Sequence, residues 1–112
     1  MKHFKAIGCF LLLVANPAHA LTGLELYQSC IGAKDGAPDI ACLSYVRGFI
    51  DGMAFGGPAG PYFCPPKDGI AADQGRLVAE KYLRDHPDSL YVEAGLLLGA
   101  AFLKAFPCEP KP

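Results

Sequence analysis

The sequence predicts an all-α fold, a small disulfide-stapled bundle of about four helices, on three observations. Apolar residues recur at three- and four-residue spacing in four segments, and no segment alternates convincingly with period two. Turn-forming residues, rich in glycine, proline and aspartate, punctuate those segments. Beyond the N-terminal stretch, Cys30, Cys42, Cys64 and Cys108 make an even set in a short chain. Such a set reads as two disulfides when the chain is exported.

Export is itself read from the first twenty residues. Lys2 and Lys5 form a basic start, "AIGCFLLLVA" (6–15) is a short apolar run, and "AHA" (18–20) places small residues around a cut. That is the pattern of a secretory signal peptide. The run falls short of the roughly 20 apolar residues a membrane-spanning helix needs. The expected organisation is therefore a signal peptide over 1–20, cleaved after Ala20, and a single domain over 21–112 in the periplasm. Removing Lys2 and Lys5 leaves eight basic against eleven acidic side chains, a formal balance of −3. No basic stripe or run is present, which argues against nucleic acid and against a polybasic membrane contact.

The first helix is expected over 22–30, "TGLELYQSC". Thr22 followed three residues later by Glu25 is a capping-box pattern, and "GAKDGAPD" (32–39) supplies the stop. Leu24, Leu26, Tyr27 and Cys30 provide its apolar positions. Asp39 caps a second helix over 40–55, with Cys42, Tyr45, Val46, Phe49 and Met53 on one face. Gly48 and Gly52, four apart, are read as a place where a neighbouring backbone approaches closely. Arg47 and Asp51 are the charged pair within this apolar helix and are read as a semi-buried structural bond, with a partner contact as the sharper alternative.

A third helix is predicted over 70–87, with Ile70, Leu77, Val78, Tyr82 and Leu83 inward, a Glu80–Arg84 pair outward, and Pro87 as the stop. The last and most apolar helix is expected over 89–106. Ala94, Leu97, Leu98, Ala101, Phe102 and Ala105 form its core stripe, Gly95 and Gly99 are read as tight packing points, and Glu93 and Lys104 argue against a membrane span.

Three pairings of the four cysteines are open. No two lie at the C-x₂₋₄-C spacing of a zinc clamp, and no metal or cofactor is expected. A hairpin of the first two helices favours Cys30 with Cys42, which leaves Cys64 to Cys108. By the chain-entropy estimate, loops of about 13 and about 45 residues stabilise by roughly 3 and 4 kcal/mol. A small domain has about 5–15 kcal/mol in all.

Chemistry is hard to find. His86, the one histidine after residue 20, precedes Pro87 at a helix end and is read as a local hydrogen-bonding or charge partner for the last carbonyls. Oxidised cysteines offer no thiolate, Ser29, Ser44 and Ser89 stand in no nucleophile motif, and the acids are scattered. The chain is not read as an enzyme. What stands out is a surface: "AFGGPAGPYFCPPKDG" (54–69), four glycines and four prolines interleaved with aromatics. A loop stiffened by Pro65 and Pro66 and held by Cys64 is read as presenting Phe55, Tyr62, Phe63 and Lys67 to a protein partner at little ordering cost. Its alternative is that the aromatics cap the open end of the bundle.

At "CLSYVRG" (42–48), "FCPP" (63–66), "YLRDHP" (82–87) and "AFPC" (105–108) the sequence resembles the Rap/Tai family of immunity proteins. The order and spacing of these pieces carry the resemblance, from Cys30 to Cys108. It implies a small periplasmic helical protein that protects bacteria with a type VI secretion system from a peptidoglycan amidase toxin. It implies further a dimerising bundle that plugs the active-site cleft of a cysteine amidase. The favoured expectation is thus an inhibitor of a secreted amidase. The alternatives are a periplasmic acid-stress chaperone of the small helical kind and, as a minor reading, a hydrolase using His86.

Overall fold

The computed structural model describes residues 19–32, 39–54 and 62–109. Four helices build them: α1 (Gly23–Ile31), α2 (Ile40–Ala54), α3 (Ala72–Asp85) and α4 (Ala94–Ala105), with a single 3₁₀ turn over Pro87–Ser89. The expected all-α fold is observed. α3 lies at the centre of the packing and contacts each of the other three helices.

α1 and α2 begin where a local side chain satisfies free N–H groups of the first turn. At α1, Glu25 N–H donates to the Thr22 hydroxyl at 3.3 Å and the Glu25 carboxylate accepts from Thr22 N–H at 2.8 Å, the reciprocal capping box. At α2, the Asp39 carboxylate accepts from Ala41 N–H at 2.8 Å, as expected of an N-cap. α3 is shorter than predicted at both ends, because Ala71 is extended and offers no side-chain cap, and Asp85 precedes the His86–Pro87 break.

α4 starts at Ala94 rather than at Ser89. The five residues before it turn through the 3₁₀ segment and then run against the entry to α1. Gly23 N–H donates to Val92 O at 2.8 Å, Leu24 N–H to Leu90 O at 2.9 Å, and Ala94 N–H to Leu21 O at 2.7 Å. This short antiparallel strap bonds backbone groups that a longer helix would have used internally. It also requires Gly23: a Cβ there would sit 3.2 Å from Leu90 O and against the Leu97 side chain.

The core is formed by Leu26, Cys30, Cys42, Val46, Ala79, Leu83, Ala94, Leu97, Leu98 and Phe102, all buried, joined by Phe63 from the loop. Phe102 is its hub, with ring centroids 5.6 Å from Phe49, 5.3 Å from Phe63 and 6.0 Å from Phe106. Both bridges pair as the hairpin reading favours: Cys30–Cys42 with Cα atoms 5.0 Å apart, and Cys64–Cys108 at 4.8 Å.

Several side chains depart from expectation. Leu77 and Ala105 were expected inward and are exposed, since each lies at the edge of its stripe where no helix covers it. Among the described residues no neighbouring element approaches Gly48 or Gly52; a Cβ at either would meet no such atom within 4 Å. The close approach occurs at Gly75 instead, where a Cβ would lie 2.7 Å from Ile50 Cδ1 and 3.1 Å from Val46 Cγ1. At Gly95 and Gly99 the nearest side-chain atoms, Tyr45 Oη at 3.8 Å and Tyr62 Cε1 at 3.7 Å, are in ordinary contact.

Candidate interaction surface on the braced loop and the outer face of α4

The loop after α2 is held from below at three points. Phe63 turns into the core, only 5% exposed, and packs on Phe102. Cys64 N–H donates to Phe106 O at 2.9 Å, and the Cys64 side chain is bonded to Cys108. Gly69 N–H then closes a turn onto Pro66 O at 2.9 Å, with Gly69 at φ +78°, a left-handed conformation that glycine adopts without strain.

These anchors divide the predicted contact residues. Tyr62 is 57% exposed and displayed. Lys67 is exposed in the turn that ends at Gly69. Phe63 is not a displayed residue: its ring packs into the core on Phe102 while the neighbouring Tyr62 stays exposed. Phe55 lies outside the described residues.

Tyr62 is displayed next to an apolar helix face. Its ring lies over Gly99 of α4, and Leu96 and Leu103, three before and four after Gly99, line the same side of that helix. Leu96 is 65% exposed and Leu103 is also exposed, with half-buried Ala100 between them. α4 therefore buries Leu97, Leu98, Ala101 and Phe102 on one side and shows leucines on the other, with Lys104 at the margin. Sequence reasoning took α4 as a core helix and missed this second face. The signal was present, since Leu96 and Leu103 are seven apart and fall outside the predicted core stripe.

The opposite flank of α4 forms a cleft of about 260 Å³ with the second half of α3, lined by Val78, Tyr82, Ala101 and Ala105 and edged by Lys81, Asp85, His86 and Lys104. His86 stacks on Tyr82 with centroids 4.0 Å apart, and its Nδ1 lies 2.7 Å from Tyr82 O. A carbonyl oxygen only accepts, so Nδ1 carries the proton and Nε2 is the free position. The local helix-end role predicted for His86 is what the geometry shows.

Several charged groups elsewhere pair along the helices, Arg76 and Glu80 half-buried and the others exposed. Along α3, Arg76 bonds Glu80 at 3.0 Å, Arg84 lies 3.7 Å from Glu80, and Lys81 bonds Asp85. The Lys81 ammonium holds the Asp85 carboxyl below the ordinary range, and Thr22 does the same for Glu25 through its backbone and hydroxyl hydrogen bonds. Arg47 and Asp51 do bond to one another at 3.3 Å, but their side chains are 65% and 60% exposed. The pair is solvated rather than semi-buried, because among the described residues no element covers the face of α2 that carries it with Gly48 and Gly52. Among the described residues no group of three His, Cys, Asp or Glu is placed to hold a metal ion, and no helix is long and apolar enough to cross a membrane.

Fold and surface together define a small disulfide-stapled helical module whose most conspicuous feature is an uncovered apolar ridge beside a braced loop. The model of the Rap1a immunity proteins matches residues 22–108, from the N-cap of α1 to the last bridging cysteine, and the chain belongs to that family. Family membership assigns it to toxin immunity. No curated protein and no solved structure matches the chain.

Proposed function

We infer that the protein acts in the periplasm as a non-catalytic inhibitor. On this reading it binds a type VI secreted peptidoglycan amidase and occludes its active site. The immunity family supports the toxin-directed part of this reading over the acid-stress chaperone alternative. The signal-peptide pattern of residues 1–20 supports the compartment, where both a peptidoglycan-cutting toxin and disulfide oxidation belong. The observation that carries the reading is the display of Tyr62 beside Leu96 and Leu103 on a loop tied down by Phe63 and a disulfide. A rigid, exposed aromatic flanked by aliphatic side chains is the usual composition of an interface hot spot. Because residues 62–69 are already tied down by the Phe63 packing, the Cys64–Cys108 bridge and the turn closed by Gly69, little conformational entropy is lost there on docking. The same apolar ridge is the natural face for a homodimer, so toxin and second copy would compete for it or share it.

The test uses a purified type VI secreted peptidoglycan amidase as the candidate partner. Tyr62→Ala combined with Leu96→Ser is expected to weaken its binding by at least tenfold, the scale of one or two hot-spot residues at more than about 1 kcal/mol each, with the melting temperature kept. Calorimetric titration and a peptidoglycan-digestion assay read it. Unchanged affinity in the folded variant would place the contact elsewhere.

A further inference from the structure

The cleft between α3 and α4 is assigned no role by family membership or by the loop. Its walls are apolar, from Val78, Ala101 and Ala105, and one side is the Tyr82–His86 stack. Its rim carries two ammonium groups and one carboxylate. Asp85 is already engaged by Lys81, whereas Lys104 has no ion-pair partner among the described residues. The rim is thus left with one net positive charge, and among the described residues His86 hydrogen-bonds through Nδ1 alone. At about 260 Å³ the cleft is smaller than the roughly 300–1,000 Å³ of drug-sized pockets and suits one large side chain.

We propose that this cleft is a recognition site for an acidic peptide segment, taking one aromatic or aliphatic side chain between Val78 and Ala105 with a carboxylate beside it on Lys104. The aromatic wall and apolar floor supply contact area, and Lys104 fixes orientation through a charge-assisted hydrogen bond. Asp85 repels an acidic segment less than its charge implies, because Lys81 neutralises it. Lys104 follows Leu103 in the chain and stands on α4 between the cleft and the ridge on the opposite flank. The inference relies on the inhibitor reading only for the source of the segment, a surface loop of the toxin.

N-acetyl-L-phenylalanine, with a free carboxylate, and its carboxamide are titrated into the protein while NMR follows the His86 ring and the Ala101 and Ala105 methyl groups. The acid is expected to shift all three saturably. The carboxamide should bind roughly two- to fivefold more weakly, the range of one partly exposed ion pair. Lys104→Met should abolish that preference without changing the helical circular dichroism, and Ala105→Leu, which fills the cleft from its exposed edge, should weaken both probes. Absence of saturable shifts, equal binding of acid and amide, or a preference that survives Lys104→Met overturns the assignment. The two readings fail separately. Probe binding without toxin binding removes the inhibitor reading and leaves the cleft, and the reverse result removes the cleft alone.

Discussion

Tyr62 and Phe63 are neighbours in the chain with opposite environments, and their substitutions separate contact from stability. Phe63→Ala removes a core ring packed on Phe102 and should cost about 3–5 kcal/mol, read as a lower denaturant midpoint. Tyr62→Ala should stay within roughly 1 kcal/mol of the parent, because its ring is mostly in water. A double substitution at 62 and 63 would therefore confuse unfolding with lost affinity. The glycines divide in the same way. Gly48→Ala and Gly52→Ala each gain helix propensity with open space for the methyl group, so each should stabilise by about 0.5–1 kcal/mol. At Gly75 the same gain meets Val46, a β-branched side chain with little freedom to move, and the Ile50 methyl. Overpacking costs about 1–3 kcal/mol, so Gly75→Ala should be neutral to destabilising where the other two stabilise. Urea titration of the three variants checks the order.

At the scale of the element, the helix ends carry the pH response. Glu25 at the start of α1 and Asp85 at the end of α3 are both held below their ordinary values, by the Thr22 hydrogen bonds and by Lys81 respectively. A depressed folded-state pKa contributes stability that is present above the unfolded value and lost as pH falls through the folded one. The loss should begin near the unfolded values, about 4.3 for Glu and 3.9 for Asp, and continue below them. Both groups are exposed, so the slope should be shallow. Thermal melts of Glu25→Gln combined with Asp85→Asn should show a smaller decline than the parent between about pH 5 and pH 3. The same scale explains α4. Only one neighbour, α3, makes extensive contact with it, so a helix apolar on most sides has one flank buried, one open as a ridge and one forming a cleft wall.

For the molecule as a whole, the two bridges have different jobs. Cys30–Cys42 closes a sequence separation of 12 between consecutive helices, and Cys64–Cys108 closes 44, joining the loop to the end of α4. Replacing each pair by alanine should cost roughly 3 and 4 kcal/mol by the chain-entropy estimate, a large share of the stability of so small a domain. Their effects on binding should differ more than their effects on folding. Losing Cys64–Cys108 frees the segment that holds Tyr62 and should weaken toxin affinity beyond what the fraction unfolded accounts for. Losing Cys30–Cys42 should weaken it only through unfolding. Isothermal titration below the melting temperature of both variants separates the two cases.

The sequence by itself determined the helical class, both α1 and α2 starts and the local role of His86, and it favoured, without fixing, the bridge pairing that the structure shows. These depend on residues within one or two helical turns, or on cysteines whose helices must be adjacent. The short motifs at 42–48, 63–66, 82–87 and 105–108 also carried the resemblance that the Rap1a family match supports. Tertiary structure alone decided which glycine is crowded, that Phe63 anchors while Tyr62 faces water, that Arg47 and Asp51 are solvated, and where the strap delays α4 to Ala94. The physical reason is that periodicity states which side of a helix is apolar, whereas burial depends on whether another element arrives to cover it. For the outer leucines of α4, none of the described elements does.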